Sequence, residues 1–596
     1  MLACIAAGFS AALAAGAWNP ASAQEQMPGF TAFQEPAQQS GIKTPKTLVT
    51  VHGEVRDSAT GQPLPRALVR IEGDADAGTL TDGEGRFEIP GVAAGPQSIR
   101  VVKPGFHDRP YATEEVGYPA EGPAHSVLLA EQMPDLRFTL TPNCAIHGHI
   151  ELSTGDPAEK ITVVLVKKVV KYGRAVWMQE AQTRTNGAGN YRFGGITDGV
   201  YAVYTLPSLE SEQGVTAIAA GNAQKIVRDG FPAVFYPGAR EFAGAARIQV
   251  APGEQAEANF NLTLEPFYPV TAMGVLPGRE SKTPPSSGNS AVVMDASGHL
   301  LPYIPQYDQA THTLQTNLPD GTYVMVMQAP VDITSFVANG QLVVPPGKSI
   351  KPNTGSVEFT VEGRPVTGLR IPIGPSPQNL LRLRFQHEAA GQAGANAPGN
   401  VNAAELVNLM LDRADGIPAQ FAESNIASDG GPDWIDFTAL PGSYWIDAIL
   451  PRRGWCAGPL SAGGLNLARD PLALGLSAAT PPMELTLTDN CATLALNLPA
   501  GLAAFVPGEE PFYFVYIVPD FDTPVYIPPM TIHPSSGSTL TIDGLMPGSY
   551  HVYTFGAPVH FEYRNPDAVA ALANSGQAVT LSPGETANLT LEAPEH

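Results

Sequence analysis

Basic residues are scarce in this sequence of 596 residues. Lys and Arg number 34 against 57 Asp and Glu, which gives a formal net charge of −23. Non-specific binding to nucleic acid or anionic lipid needs a basic surface, so both classes of partner are disfavoured. Charged residues make up only 15% of the chain, which is not the composition of a solvated disordered protein.

The motifs of common catalytic sites are also missing. None of the 12 histidines is followed by Glu three residues later, and neither His-Glu-x-x-His nor Gly-x-Ser-x-Gly occurs. Gly347-Lys-Ser349 resembles part of a phosphate-binding loop, but Leu342 stands where its first glycine belongs. The sequence therefore predicts a non-enzyme without a cofactor. An active site assembled from distant residues stays open as an alternative.

Long apolar runs are confined to the N-terminus, so no membrane span is predicted in the rest of the chain. An apolar run from Leu2 to Trp18 precedes Ala21-Ser22-Ala23, a small-x-small cleavage signal, which predicts a signal peptide over residues 1–23. No Lys or Arg precedes Lys43, so the usual basic segment is absent and the true start could lie upstream. The alternative is a short buried helix in a cytosolic protein. Residues 24–46, rich in Gln and Pro, read as a disordered linker.

Cysteines are few, and after removal of residues 1–23 three of the four remain. Cys456 and Cys491 are the favoured pair, because they bracket the last strands of one predicted domain and an oxidising compartment permits the bond. Cys144 is then left over. Three buried free thiols are the alternative.

Glycine and proline, by contrast, are abundant, with 60 and 57 residues, which is typical of many short strands joined by turns. One sequence motif recurs along the chain, namely a Gly-containing turn followed by Tyr and an apolar strand. Gln97 takes the place of Tyr in the first copy. The Tyr positions of the other copies are Tyr201, Tyr323, Tyr444 and Tyr550.

The spacing of these copies is a little over 100 residues, which is the size of a β-sandwich domain. It predicts an all-β fold of tandem Greek-key, immunoglobulin-like or transthyretin-like sandwiches, with little helix beyond the signal peptide. The four tyrosines are expected to be buried, with hydroxyls bonded to nearby backbone as in a tyrosine corner. The predicted domains are residues 47–142, 143–266, 267–376, 377–489 and 490–596.

The first domain also resembles a known family. Val51-His-Gly-Glu-Val55 and Thr81-Asp-Gly-Glu-Gly-Arg-Phe87 are similar to the carboxypeptidase regulatory-like domain, a transthyretin-like or carbohydrate-binding-like fold. The resemblance extends to the second domain through Ile146-His-Gly-His-Ile150 and Thr185-Asn-Gly-Ala-Gly-Asn-Tyr191, and fades in the last three. Phe231–Ala239 resembles a Tyr-Pro-Gly insertion of large secreted bacterial proteins, notably acidobacterial ones. The resemblance implies a fold and an extracytoplasmic location, and no catalytic residues.

Two aromatic features are candidate ligand or partner surfaces. Pro511–Val518 is apolar on both faces, and a neighbouring domain or loop that covers the second face is the alternative to a partner platform. Trp455 follows Arg452 and Arg453 and could bind a ligand or pack on a disulfide. The candidate surface residues are Phe512, Tyr513, Phe514, Tyr516 and Trp455.

One strand carries three residues with the spacing of metal ligands, but no metal site is predicted there. His147, His149 and Glu151 alternate, so their side chains share one face and their spacing could hold a divalent metal. The corresponding strand of the first domain has His52 and Glu54 but Arg56 as its third residue. A solvated strand face is the favoured interpretation, and no metal ligand is assigned.

The sequence thus predicts a non-catalytic secreted, periplasmic or cell-surface protein made of five sandwiches joined end to end as a rod. The leading hypothesis is adhesion or binding, with polysaccharide or envelope proteins as partners. The alternatives are a structural spacer or assembly component of an envelope complex, and a secreted enzyme with an unrecognised site. The ligand and the oligomeric state do not follow from the sequence.

Overall fold

A computed structural model describes residues 47–74, 77–108, 125–210, 215–220, 223–275, 290–308, 310–329, 337–338, 341–342, 353–386, 402–414, 428–450, 454–475, 480–498, 513–532, 539–556, 559–572 and 574–592. The predicted signal peptide and linker lie outside these ranges. Within them, no helix combines the length and the apolar character needed to cross a membrane.

The chain is all-β, as predicted. Its strands run in chain order through five groups, here called sandwiches 1 to 5. Sandwich 1 contains β1 (Leu48–Asp57), β2 (Leu68–Ile71), β3 (Gly78–Leu80), β4 (Arg86–Ala93), β5 (Gly95–Val102), β6 (Phe106–His107), β7 (His125–Leu129) and β8 (Leu136–Pro142). Sandwich 2 contains β9 (Cys144–Leu152), β10 (Thr162–Lys171), β11 (Arg174–Arg184), β12 (Asn190–Ile196), β13 (Gly199–Thr205), β14 (Ser208–Leu209), β15 (Val215–Ala220), β16 (Ala223–Phe231), β17 (Ile248–Val250), β18 (Gln255–Glu257) and β19 (Phe260–Leu262).

The strands of the remaining sandwiches follow the same order. Sandwich 3 contains β20 (Glu265–Val275), β21 (Ser290–Asp295), β22 (Leu300–Leu301), β23 (Gln306–Asp308), β24 (Thr313–Leu318), β25 (Gly321–Ala329), β26 (Val337–Ala338), β27 (Gln341–Leu342), β28 (Asn353–Val361), β29 (Val366–Pro372) and β30 (Gly374–Pro375). Sandwich 4 contains β31 (Asn379–Gln386), β32 (Asn408–Arg413), β33 (Ser428–Gly430), β34 (Trp434–Phe437), β35 (Gly442–Ile449), β36 (Cys456–Ala462), β37 (Leu465–Asn466), β38 (Leu472–Leu474) and β39 (Met483–Thr488). Sandwich 5 contains β40 (Ala492–Asn497), β41 (Tyr513–Pro519), β42 (Met530–Ile532), β43 (Thr539–Leu545), β44 (Gly548–Phe555), β45 (Gly576–Leu581) and β46 (Thr586–Thr590).

Helix is minor in the described ranges. A short helix, α1 (Pro566–Ala571), begins after Asn565, whose side chain accepts a hydrogen bond from the Asp567 amide. Single 3-10 turns lie at Phe242–Gly244 and Ala403–Glu405.

One topology recurs in all five sandwiches. The first strand pairs antiparallel with the strand before the corner and parallel with a late strand. In sandwich 1, β1 pairs with β4 and β8 in this way, and in sandwich 5 β40 pairs with β43 and β46. The strand that carries the corner lies in the opposite sheet, where β5 pairs with β2 and β7, and β44 with β41 and β45. Sandwiches 2, 3 and 4 repeat the pairings around β9 and β13, β20 and β25, and β31 and β35.

Each sandwich has its own core, because alternate residues of both sheets point inward. The five core clusters lie within residues 49–140, 144–262, 268–373, 381–487 and 492–591. In β1, Val49, Val51 and Val55 are buried while His52 is exposed, which is the alternation of a half-buried strand.

The glycine at the centre of β1 is required by close approach of two neighbours. A Cβ atom at Gly53 would lie 2.4 Å from the carbonyl oxygen of Leu136 and 2.6 Å from the Phe87 ring. Gly148 in β9 meets Ala258 and Tyr191 in the same way. The glycine that follows the histidine in each of these strands is therefore required because a backbone segment and an aromatic ring pack against the first strand.

Sandwiches 2 and 3 share a sheet. β16 pairs with β14, with β15 and with β20, so these strands of sandwich 2 continue the sheet of β20, β24 and β23. The pairing crosses residue 266, where the sequence predicts a domain boundary. The predicted domain limits stay a proposal.

Candidate functional site

The repeated tyrosines form corner bonds inside the sandwiches. The hydroxyl of Tyr201 donates to the carbonyl oxygen of Thr197 at 2.6 Å, four residues earlier. Tyr323, Tyr444 and Tyr550 make the same bond over four residues, at 3.0, 2.8 and 2.7 Å. All four side chains are buried. They are part of the cores and do not form a repeated surface.

Gln97 makes the corresponding bond in sandwich 1. Its Nε2 donates to the carbonyl oxygen of Ala93 at 3.0 Å, again four residues earlier. The amide therefore replaces the phenol as the donor of the corner.

Removing one corner hydroxyl is expected to lower the free energy of unfolding. In Tyr550→Phe, the Met546 carbonyl loses its donor inside the core, and one such bond contributes about 1 kcal/mol. Burial also raises the pKa of Tyr550, so the phenol stays a donor at neutral pH. Urea unfolding measures the change. Ser549→Ala is the control, since it removes an exposed hydroxyl from the next residue and should change the midpoint little. Equal midpoints for both variants would contradict a stabilising corner.

The aromatic strand β41 is apolar on both faces, and both faces are covered. Val515 and Ile517 lie in the core between the sheets. Phe514 and Tyr516 lie on the other face and are 7% and 2% exposed. Phe561 covers them, together with Val559, Tyr563 and Val569.

Of the two interpretations of this strand, the covered face therefore holds for Phe514 and Tyr516, and these side chains do not form a partner platform. The Tyr516 hydroxyl donates to the carbonyl oxygen of Val559 at 2.9 Å, which fixes the covering segment in place. The physical reason is that a second apolar face is satisfied by the chain's own next segment. Phe512 and the side chain of Tyr513 lie outside the described residues.

Trp455 packs inward rather than offering an exposed ring. Its ring meets that of Phe385 edge-on, with centroids 5.3 Å apart, and it lies against the core of sandwich 4. The adjacent Cys456 is bonded to Cys491, with Cα atoms 5.6 Å apart. Cys144 is a buried free thiol whose pKa is raised by burial. Arg452 and Arg453 lie outside the described residues.

A buried cluster of charges joins three sandwiches. Arg174 at the start of β11 donates to both carboxylate oxygens of Asp447 in β35, at 2.9 and 2.7 Å. Arg564, which lies just before α1, also contacts Asp447, at 2.9 Å. The Asp447 side chain is 2% exposed and each arginine side chain 10%. We call these three residues the arginine–aspartate junction.

Further bonds hold the two guanidinium groups. Arg174 also donates to the carbonyl oxygen of Ala468 at 3.1 Å and stacks over the Trp445 ring at 4.8 Å. Arg564 donates to the carbonyl oxygen of Thr523 at 3.0 Å. Burial lowers the pKa of Arg174, while the facing carboxylate of Asp447 acts in the opposite direction.

Weaker contacts surround the junction. Lys171 pairs with Asp412 at 2.7 Å, and Lys168 with Glu562 at 3.1 Å. The Tyr172 ring meets that of Tyr526 edge-on, with centroids 4.7 Å apart. These pairs connect the β10–β11 turn of sandwich 2 to sandwiches 4 and 5.

Gly173 is the residue that lets this turn approach sandwich 5. Its φ is +74°, and a Cβ atom would lie 2.5 Å from the Tyr563 ring. Its carbonyl oxygen accepts a hydrogen bond from the Arg564 amide at 3.0 Å. Only glycine combines the left-handed backbone with this separation.

The sandwiches do not contact one another in chain order alone, unlike the arrangement that the sequence predicts. Sandwich 2 contacts sandwiches 4 and 5 directly, although sandwich 3 separates it from them in sequence. These contacts depend on charged residues within apolar strands. Asp447, for example, lies within Tyr-Trp-Ile-Asp-Ala-Ile. A lone acid in such a strand was the available signal, and its partners lie 273 and 117 residues away (447 − 174 and 564 − 447).

The comparison with protein families identifies one segment of the chain. Residues 50–125 match the carboxypeptidase regulatory-like domain. The predicted resemblance is thereby confirmed for sandwich 1. The search of curated proteins found no significant match.

Solved structures of similar fold have low identity to the chain. The Bacillus anthracis TIE protein is 10% identical, covers 76% of each chain and has a TM-score of 0.15. The streptococcal ancillary pilin is 12% identical, covers 55% of this chain and all of its own, at a TM-score of 0.18. The full-length major pilin SpaD of Corynebacterium diphtheriae is 11% identical, covers 75% of this chain and 96% of its own, at 0.14. At these TM-scores the similarity does not bear on function.

Sandwich 2 repeats the hairpin of the regulatory-like domain. In sandwich 1, the Asp82 carboxylate accepts hydrogen bonds from the backbone amides of Glu84 and Arg86 at 3.0 and 2.8 Å. In sandwich 2, Asn186 accepts from Ala188 and Asn190, both at 3.0 Å. An acceptor side chain at the first turn position thus closes both hairpins.

In β9, the His149 side chain makes a contact within the protein. His149 Nδ1 lies 3.0 Å from the Asn190 side-chain oxygen. Within the described ranges, no group of three or more His, Cys, Asp or Glu residues is arranged to hold a metal ion.

Proposed function

We propose that this protein is a non-catalytic extracytoplasmic protein that holds binding surfaces in fixed relative positions and recognises carbohydrate or envelope components. The observation that supports it most is the arginine–aspartate junction. Strongly desolvated charges that line a cleft are candidates for an active site, whereas structural ion pairs are desolvated between packed domains. In this protein they join sandwiches 2, 4 and 5, and each charge is bonded across a domain contact.

Composition and sequence support the location and the class of partner. An apolar N-terminal segment followed by Ala21-Ser22-Ala23 favours export, and the Cys456–Cys491 bond suits an oxidising compartment. A net charge of −23 favours neutral or cationic partners over nucleic acid.

A structural component of an envelope complex is the second candidate. The junction favours it as well, since a fixed arrangement of three sandwiches suits a spacer as much as a receptor. The two functions differ in whether a glycan or a protein is bound.

Binding experiments on the purified chain from residue 24 onward test the proposal. We expect either retention on a polysaccharide array or capture of defined, purified envelope proteins, and no turnover of polysaccharide or peptide substrates. Glycan retention favours recognition, and protein capture without it favours assembly. Reproducible hydrolysis that purifies with the chain would overturn both.

A further inference from the structure

We propose that a groove between sandwiches 2 and 3 binds a neutral saccharide; the inference deepens the proposed function and rests on it. One wall is the segment 206–209 of sandwich 2. The other wall and the floor are residues 302–306 and β24 of sandwich 3. The cavity measures about 310 Å³. This volume is at the lower end of ligand pockets, about 300–1,000 Å³.

The groove is held open by backbone pairing. β14, which forms part of one wall, pairs with β16 at Ser208–Phe231 and Leu209–Gly230. β16 in turn pairs with β20 at Arg228–Phe267. Both walls are therefore anchored to one continuous sheet, and the site is formed before a ligand arrives.

The aromatic base of the groove is packed from beneath. Phe267 is 2% exposed, and its ring meets that of Tyr303 with centroids 6.3 Å apart. Tyr303 in turn meets the corner residue Tyr323 at 6.3 Å. Burial raises the pKa of Tyr303 to about 12, so its hydroxyl is neutral at physiological pH.

The side chains that line the groove suit a sugar ligand. Gln306, Gln315 and Asn317 contribute amides, which both donate and accept hydrogen bonds, as sugar hydroxyls do. Ile304 is 53% exposed and offers an apolar surface for the C–H face of a ring. The Gln315 amide is oriented by a 2.8 Å bond to Asp308.

The uncharged lining of the groove disfavours an ionic ligand. None of the described residues that line the groove carries a carboxylate, ammonium, guanidinium or imidazole group. A charged ligand would lose hydration there without gaining a counter-charge. A neutral oligosaccharide loses less, because amides replace its water contacts.

Affinity measurements on the mature chain test the site. The probes are maltotetraose, cellotetraose and mannotetraose, with trigalacturonic acid as the acidic probe. We expect a neutral probe to bind, and Asn317→Ala and Ile304→Ser each to weaken it about tenfold, since each removes a direct contact. Met273→Ser is the control, because Met273 is exposed on the same sheet outside the groove and should leave affinity unchanged.

The possible results distinguish failure of the groove proposal from failure of the proposed function. Neutral-sugar binding that survives both groove variants overturns the groove and leaves carbohydrate recognition standing. Capture of purified envelope proteins without sugar binding overturns the groove and supports assembly. Binding of the acidic probe alone contradicts the proposed charge selectivity, and thereby the site. Absence of any binding overturns both proposals. Thermal unfolding of each variant verifies that the fold is intact.

Discussion

Asp447→Ala is expected to open the contacts of sandwich 2 with sandwiches 4 and 5. The substitution leaves Arg174 and Arg564 facing each other without their shared carboxylate. Breaking a buried ion pair by removing one partner typically costs about 3–5 kcal/mol, because a desolvated charge remains. Hydrogen exchange at the Arg564 amide, which bonds to Gly173, measures the fall in the opening free energy.

An exposed ion pair provides the matched control for Asp447. Glu484 pairs with Arg384 at the surface of sandwich 4, where the side chains are 43% and 61% exposed. Glu484→Ala should therefore change stability little, because solvent screens an exposed ion pair. Unchanged exchange at Arg564 in Asp447→Ala would contradict the role of the junction.

A compensated variant separates charge from packing. Replacing Asp447 by Leu and both arginines by Met removes every charge while keeping apolar volume. Such replacements are often neutral or stabilising. We therefore expect protection at the junction to recover relative to Asp447→Ala. Failure to recover would indicate that the directional hydrogen bonds, rather than the unpaired charges, determine the effect.

Removing the Cys456–Cys491 bond is expected to destabilise sandwich 4. The bond spans a sequence separation of 35 residues. Constraining a loop of roughly this length in the unfolded chain contributes about 3–4 kcal/mol. We expect Cys456→Ala combined with Cys491→Ala to lower the urea midpoint, followed by the fluorescence of the tryptophans in sandwich 4.

The third cysteine serves as the control for that experiment. Cys144→Ala also removes a buried sulfur but breaks no cross-link. It should cost only the packing of one small side chain. Reduction of the unsubstituted protein should reproduce the double variant, and an unchanged midpoint after complete reduction would contradict a stabilising bond.

The repeated architecture could be predicted because its causes are local. A turn, a tyrosine and an alternating strand lie within about ten residues, so the corner of Tyr550 is visible in the sequence next to its acceptor Met546. The hairpin of Asp82 is equally local. For this reason the fold class followed from pattern and spacing.

The contacts between sandwiches could not be predicted in the same way. Arg174 and Asp447 lie 273 residues apart, and neither belongs to a motif. The sequence does not determine what covers Phe514 and Tyr516, since an apolar face has the same sequence whether its own chain or a partner covers it. The groove cannot be predicted from the sequence, because strand pairing brings Asn317 and the 206–209 segment together.

The junction also determines how tension would travel along the chain. If residues 47 and 592 are pulled apart, force entering sandwich 2 can pass straight into sandwich 5 through Arg174, Asp447 and Arg564. Sandwich 3, which lies between these contacts in sequence, would then carry less of the force until they rupture. Rupture would release the intervening chain as extra length, with the folded cores intact. The buried ion pairs would in that case be the first contacts to break under tension, and they would form again once the tension is removed.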